Sequence, residues 1–244
     1  MFKRYLILMF LCHVVADFYI QPSQMSEKGK HELKWVLLHC LLYGLSTLAV
    51  SIPVMSSGIL ILAVVSSFNH AIIDIIIYLI FRGREKRNSK IFIFDQLLHI
   101  MSIFILAYIW TSNNVPLVGI SIVADFLCLA DLSGLFLCKW LLGLLVIQKP
   151  ANLLIQSLIG SYKPQKSNEI KIDNNIGRRI GTAERFIMFI LIYLNQYSAI
   201  GLVLTAKSIA RYDQITKEEK FAEYYLLGTL TSVGITVICS TLLF

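Results

Sequence analysis

Four histidines and three aspartates interrupt long apolar stretches of this chain. Six of the seven fall in i,i+4 pairs: His13 with Asp17, His70 with Asp74, and Asp95 with His99, while His39 stands alone. That spacing puts two side chains on one helix face, one turn apart. An ionisable group in an apolar helix is costly, so it is expected to point at a protein interior, a cavity or an ion. Imidazole and carboxylate are also the usual ligands of zinc and related divalent metals. The spacing therefore predicts a metal site buried in a membrane protein, with His13, Asp17, His39, His70, Asp74, Asp95 and His99 as its ligands. Seven ligands exceed the four of one structural zinc. Some would then be outer partners fixing imidazole tautomers, or two ions are bound. Zinc is the first expectation, with manganese, iron or magnesium as alternatives. Two ions about 3.5–4 Å apart suit phosphoester hydrolysis, each stabilising one oxygen of an in-line displacement. Asp17 would serve there as ligand or general base. Without a metal, the same Asp–His pairs suit a proton relay in a transporter.

The elements that must hold these residues are membrane helices. The chain is 57% hydrophobic and 15% charged, with a mean hydropathy of +0.70. A soluble domain carries about 25% charged residues. The deficit, with repeated apolar runs, predicts an all-α, polytopic integral membrane bundle of about six or seven transmembrane helices. Runs near 5–21, 33–54, 58–81, 91–111, 132–159, 183–206 and 223–244 are the candidate spans. The net charge of +7 lies mainly in loops, which excludes nucleic acid as the partner and points to anionic lipid headgroups. Lys3 and Arg4 before an apolar run imitate a signal peptide; His13 and Asp17 would polarise its core and argue against that reading. None of the five cysteines (Cys12, Cys40, Cys128, Cys138, Cys239) forms a CxxC motif, and reduced, buried thiols are expected. Cys12 and Cys40 adjoin His13 and His39 but should point about 100° away from the ligand face. There is no Walker motif, nucleophile elbow, HExxH motif or Gly-rich dinucleotide turn.

Proline and charge divide the chain further. Pro22, Pro53 and Pro116 sit at proposed ends, and Pro150 predicts a kink, or a break into a span plus a short surface helix. Residues 117–131, interrupted by Asp125 and Asp131, read as interfacial or re-entrant. The expected organisation is a four-helix bundle over 1–115, an interfacial segment and fifth span over 116–160, a polar connector over 161–182, and C-terminal membrane helices over 183–244. Lys28, Lys30 and Lys34, then Arg82 through Lys90, then Lys163, Lys166, Lys171, Arg178 and Arg179 place three loops inside. His31 reads as solvated in the first of them. Alternation fails at Lys207, Arg211, Lys217 and Lys220, unless 184–211 is a helical hairpin turning near Asn195–Gly201. Lys3 and Arg4 oppose the sign that the first loop implies. Were 183–206 continuous, Asn195 and Gln196 would make helix–helix hydrogen bonds.

Depth sharpens the prediction. Counted from the basic loops at 1.5 Å per residue, all seven residues fall roughly 6–18 Å from the same face. Four antiparallel spans thus deliver their ionisable groups to one leaflet. In the second half, Glu184–Arg185 reads as a headgroup surface pair, with Arg185 as an alternative substrate-phosphate contact. Lys207, Ser208 and Arg211 share a helix face by spacing, a lipid-phosphate surface or, with Arg185, a substrate clamp.

Several of these motifs carry a resemblance. His13-Val-Val-Ala-Asp17-Phe with Gln21, Leu-Leu-His39, His70-Ala-Ile-Ile-Asp74 and Phe94-Asp95-Gln96-Leu97-Leu98-His99 resemble the uncharacterised bacterial membrane family labelled domain of unknown function 3307. So do Ile180-Gly181 with Glu184-Arg185, Ala199-Ile200-Gly201 through Arg211, and Glu223-Tyr224-Tyr225 with Gly228-Thr229. The resemblance implies a bacterial cytoplasmic-membrane protein and no established activity. Many relatives carry a lysine three residues after the third-span aspartate, where this chain has Ile77. The His/Asp pattern is more loosely similar to membrane-bound metal-dependent hydrolases, by analogy alone.

The expectation is thus a membrane-embedded, metal-dependent hydrolase acting on a lipid-linked or headgroup phosphoester at the cytoplasmic leaflet. One alternative is a divalent-metal or proton transporter or channel using the same residues; another is a structural protein with a metal or polar staple. A transporter needs polar groups continuing to the opposite face. Beyond the cluster, spans one to four offer only small polar residues such as Ser46, Thr47, Ser66 and Ser67, which favours the one-mouthed enzyme.

Overall fold

A computed structural model describes residues 1–22, 32–82, 89–162 and 174–244. Lys28, Lys30, His31, Arg84 to Arg87, Lys163, Lys166 and Lys171, on which much of the loop-charge argument rests, lie outside the described residues. Among those described there is no strand. The helices are α1 (Phe2–Val14, continuing as a π-helix over Val15–Ile20), α2 (Leu33–Ser51), α3 (Ser57–Phe81), α4 (Ser89–Ser112), α5 (Ser121–Leu129), α6 (Gly134–Val146), α7 (Lys149–Ile159), α8 (Asn174–Tyr193), α9 (Tyr197–Ile209), α10 (Tyr212–Lys217) and α11 (Glu219–Leu243). Short 3-10 turns follow α2 and α7, at Ile52–Val54 and Gly160–Tyr162. Among the described residues, five stretches are long and apolar enough to cross a membrane: Leu33–Val54, Ser57–Phe81, Ser89–Ser112, Gly134–Tyr162 and Glu219–Leu243.

The chain forms two compact units, Met1–Leu142 and Gly143–Phe244. In the first, α2 packs on α3, α3 on α4, and α1 on both α4 and α2. One end of this unit holds an apolar core of Tyr5, Leu8, Met9, Cys12, Ile59, Leu62, Ile103 and Ala107, drawn from α1, α3 and α4. Helix α2 contributes something different: its buried residues are His39, Tyr43, Ser46, Thr47 and Ser51. Its outward side carries Leu41 and Leu45, and its neighbours expose Phe68 and Met101. Polar groups turned inward and apolar groups turned outward are what a lipid solvent selects, since hydrocarbon offers polar atoms no partners.

Local chemistry sets the helix ends. The Ser56 hydroxyl accepts from the Ile59 amide at 3.3 Å and caps α3. Pro53 lies in the turn after α2, and its carbonyl accepts from the Ile120 amide at 3.0 Å, tying the segment before α5 to the α2–α3 turn. Pro150 stands at the start of α7, where a missing N–H costs nothing, and the fifth run is broken there as its sequence predicts.

The second unit corrects one expected span. Residues 183–206 are not one helix: α8 ends at Tyr193 and α9 begins at Tyr197. Asn195 adopts φ 58 in the turn between them, a left-handed conformation that asparagine tolerates better than most residues. Asn195 and Gln196 therefore build the turn rather than bonds between helices. Lys207 near the end of α9 reaches Glu184 on α8 at 2.6 Å, so the pair is the antiparallel hairpin that the basic residues after 206 call for. The thiols also depart from expectation: none is in a disulfide, but only Cys12 is buried and Cys128 is exposed.

Candidate metal centre

All seven predicted residues converge in the first unit. His39 Nε2 lies 3.1 Å from Asp17 Oδ1 and 3.4 Å from Asp74 Oδ2. His70 reaches the same two carboxylates with different nitrogens, Nε2 to Asp17 Oδ1 at 3.7 Å and Nδ1 to Asp74 Oδ2 at 3.4 Å. His99 Nε2 lies 3.5 Å from Asp74 Oδ1, and its Nδ1 lies 3.5 Å from Asp95 Oδ1. His13 is the outermost ligand candidate, with Nε2 4.0 Å from Asp17 Oδ2. The rings crowd together: His70 and His99 centroids are 4.2 Å apart, and His13 stacks on His99 at 5.3 Å.

The helices place these groups in ways that the pair spacing only partly foresees. His70 and Asp74 share a face of α3, as Asp95 and His99 do on α4. Asp17, however, sits in the π-helix that ends α1. An i→i+5 turn is wider than an α-turn, and such turns recur at functional sites. It moves Asp17 off the α-helical line from His13 and lets it meet His39 and His70 from α2 and α3.

Protonation logic gives the cluster its chemistry. The Asp95 carbonyl can only accept, so His99 Nδ1 donates to it at 2.9 Å. In neutral His99, Nε2 is then a lone pair facing the carboxylate oxygen of Asp74. His70 presents both ring nitrogens to carboxylates, yet a neutral imidazole has one N–H, so one of its contacts is also lone pair against anion. His70 Nδ1, His70 Nε2 and His99 Nε2 are buried and make no hydrogen bond among the described residues. A cation between each such pair resolves the conflict, either a proton or a metal ion. The distances suit a metal. Zn–N bonds of about 2.0–2.1 Å imply ligand atoms about 3.3 Å apart at the corners of a tetrahedron. Three groups bring ligand atoms within 4.8 Å of one another: His13–Asp17–His70, His39–His70–Asp74 and Asp74–Asp95–His99. Asp74 is common to two of them, with Oδ2 toward His39 and His70 and Oδ1 toward His99.

The four histidines are 2–5% exposed, whereas the side chains of Asp17 and Asp74 retain 13% and 14%. The two carboxylates are thus more exposed than the histidines around them.

Three partners escape the charge-and-spacing reading. Gln96 donates from Nε2 to Asp17 Oδ2 at 2.9 Å and sets Oε1 3.4 Å from His13 Nε2. Its signal was a lone amide in an apolar run, one residue beyond Asp95. Tyr43 lies over His70 with centroids 3.6 Å apart, its hydroxyl 3.5 Å from His13 Nδ1. It is four residues beyond His39, so it shares that face. Cys40, expected off the ligand face, brings Sγ to 3.9 Å from Asp74 Oδ2; Asp74 comes from the neighbouring helix and so reaches the flank of α2.

The basic residues Arg185, Lys207 and Arg211 belong to the second unit. Arg185 is not a surface pair with Glu184 but is 1% exposed. Its Nε donates to Ile147 O at 2.7 Å, Nη1 to Ser232 Oγ at 3.1 Å, and Nη2 to Asn152 Oδ1 at 2.7 Å and Thr182 Oγ1 at 3.1 Å. With four of its five N–H groups engaged by protein, it lacks the open fork a phosphate clamp needs. Lys207 is held by Glu184, and Arg211 donates to Gln214 Oε1 at 2.9 Å. Helix α9 stops at Ile209, so Lys207 and Arg211 do not share the continuous helix face that their spacing suggests. Ile77, one turn beyond Asp74, is buried on α3.

No curated protein and no solved structure matches the chain. The family model described as a protein of unknown function (DUF3307) matches residues 5–126, half of the chain and all seven His/Asp positions. The chain belongs to the DUF3307 family.

Proposed function

We propose that the first unit is a membrane-embedded, divalent-metal-dependent hydrolase of a phosphoester presented at the cytoplasmic leaflet of a bacterial inner membrane. The observation that carries this reading is the pairing of buried, hydrogen-bond-free imidazole nitrogens with carboxylate oxygens at 3.4–3.7 Å. His39, His70, His99, Asp17 and Asp74 would be the inner ligands of one or two divalent ions, with zinc as the first choice, and Asp74 faces histidines with both of its oxygens. His13 and Asp95 complete the set. When bound, the metal supplies a hydroxide near neutral pH and polarises a phosphoryl oxygen. Asp17, oriented by Gln96, would act either as one of these ligands or as the general base that accepts a proton from the attacking water. Gln96 in turn orders His13. Six or seven crossings, with α1 and its π-turn as the first, complete the proposed membrane bundle.

Transport of a divalent cation or proton is a second reading, and a specific observation favours it. Ser46, Thr47 and Ser66, which read in sequence as scattered small polar residues, are all buried. Spans two and three thus bury polar groups beyond the cluster, which weakens the argument that led from their sequence to a single mouth.

The deciding experiment is elemental analysis of protein purified without added metal, beside a His70→Ala/Asp74→Asn variant. It is followed by phosphate release from phosphatidic acid and a soluble phosphomonoester. Stoichiometric metal lost in the variant, with phosphate release lost in Asp17→Asn, is the expected result. A wild type that binds no more metal than the variant sinks the proposal. Metal retained with transport across vesicles and no phosphate release shifts it to the second reading.

A further inference from the structure

Helix α2 buries a run of hydroxyls, where α3 buries one, Ser66, among hydrocarbon. Below His39 its inward face runs Tyr43, Ser46, Thr47, Ser51, a line about 18 Å long from His39 to Ser51 at 1.5 Å per residue. Two facts make this line more than a stripe of small residues. Ser46 Oγ and Thr47 Oγ1 are buried, in residues 4% and 3% exposed, and neither has a hydrogen-bond partner among the described residues. Serine and threonine in a helix ordinarily bond the carbonyl one turn back, as Ser67 does to Ala63 O at 2.7 Å on the adjacent helix. The line also has polar contacts at both ends. The Tyr43 hydroxyl meets His13 of the cluster, while Cys12 Sγ lies 3.7 Å from Ser51 Oγ and 3.9 Å from Thr47 O.

We propose that the buried face of α2 binds a file of water molecules running from the His/Asp cluster to the Ser51 end of the helix. Buried polar atoms without protein partners are where internal water sits, provided each water finds two or more polar groups. The spacing fits. Hydroxyls one helical turn apart are separated by about 5.4 Å, and one water bridges that gap with two hydrogen bonds of about 2.7–2.8 Å. The path thus opens the cluster to water from the end opposite Asp17 and Asp74. Its use as a supply of water for hydrolysis rests on the function proposed above; the path itself does not.

Radiolytic footprinting tests it. The full chain in lipid nanodiscs receives a brief X-ray pulse in 18O-labelled water, so that ordered water oxidises side chains beside it. Oxidation of Tyr43 and Cys12 is read by mass spectrometry against outward-facing Met101 and Tyr108, after correction for intrinsic reactivity. Labelling of Tyr43 and Cys12 several-fold above those two, lost in Ser46→Ala/Thr47→Val and kept in Thr47→Ser, is expected. If the double variant does not fold, the isosteric Thr47→Val carries the test. Labelling at background in the wild type, or unchanged in the valine variant, overturns the proposal. Metal content measured in the same samples separates the two ideas. A labelled path without metal defeats only the hydrolase, and bound metal without labelling defeats only the path.

Discussion

The two units of this protein bury ionisable groups in opposite ways. In the C-terminal unit, Arg185 is enclosed by four neutral acceptors and Glu184 is matched by Lys207. In the N-terminal unit, four imidazoles and three carboxylates crowd together, and three ring nitrogens make no hydrogen bond among the described residues. A saturated polar group is part of the fold. An unsaturated one in a low-dielectric interior is costly and is kept where something else completes it. Hydroxyls of both kinds occur in both units: Thr236 and Ser240 on α11 bond carbonyls of their own helix at 2.9 and 2.8 Å, as Ser67 does on α3, whereas Thr229 Oγ1 on α11 and Ser46 Oγ and Thr47 Oγ1 on α2 have no hydrogen-bond partner among the described residues.

The comparison is most exposed at Arg185. Replacing it by alanine orphans the Ile147 carbonyl, Asn152 and two hydroxyls. At about 1–3 kcal/mol for each buried unsatisfied group, the loss should reach roughly 3 kcal/mol or more. Thermal unfolding in detergent measures it, and an unchanged melting temperature would show that the C-terminal network is not structural. His70→Ala should act differently. A metal at 100 times its Kd stabilises the folded state by about 2.7 kcal/mol, so the variant should lose that increment together with bound metal. Chelator should lower the wild-type midpoint and leave the variant's where it is; equal responses break the contrast between the units. Gln96→Ala removes a partner that orients Asp17 and His13. A 10–100-fold weaker metal affinity is expected, read by competition with a chromogenic chelator, with folding intact. The smallest effect belongs to Glu184→Gln. A partly accessible ion pair is worth about 0–1 kcal/mol, so the α8–α9 hairpin should survive, as limited proteolysis near Asn195 would report. Easy cleavage there would mean that the pair, not the turn, holds the hairpin.

Much of this was legible before any coordinates. The i,i+4 pairs and their distance from the basic loops named all seven residues of the cluster, because helical periodicity and depth are properties of one strand of sequence. Pro150 announced its break, since it carries its conformational preference in its own covalent structure, whereas the turn at Asn195 was suggested only by the basic residues that follow it. Gln96 and Tyr43 were not legible as site residues. Neither titrates near neutrality, and what matters about each is a contact with another helix. Arg185 misled for the same reason: charge beside a predicted headgroup region reads as surface, and only packing could enclose it.

The chain alone thus determined that apolar helices carry a set of imidazole and carboxylate side chains on common faces, because side-chain chemistry and 3.6-residue periodicity are local. The tertiary structure decided which nitrogen faces which oxygen, that Asp74 addresses two sets of histidines, and that the Ser46 and Thr47 hydroxyls look inward with no partner among the described residues. Those facts depend on the rotation of each helix about its own axis and on a π-turn at Asp17. The rotation is set only when several helices pack together at once.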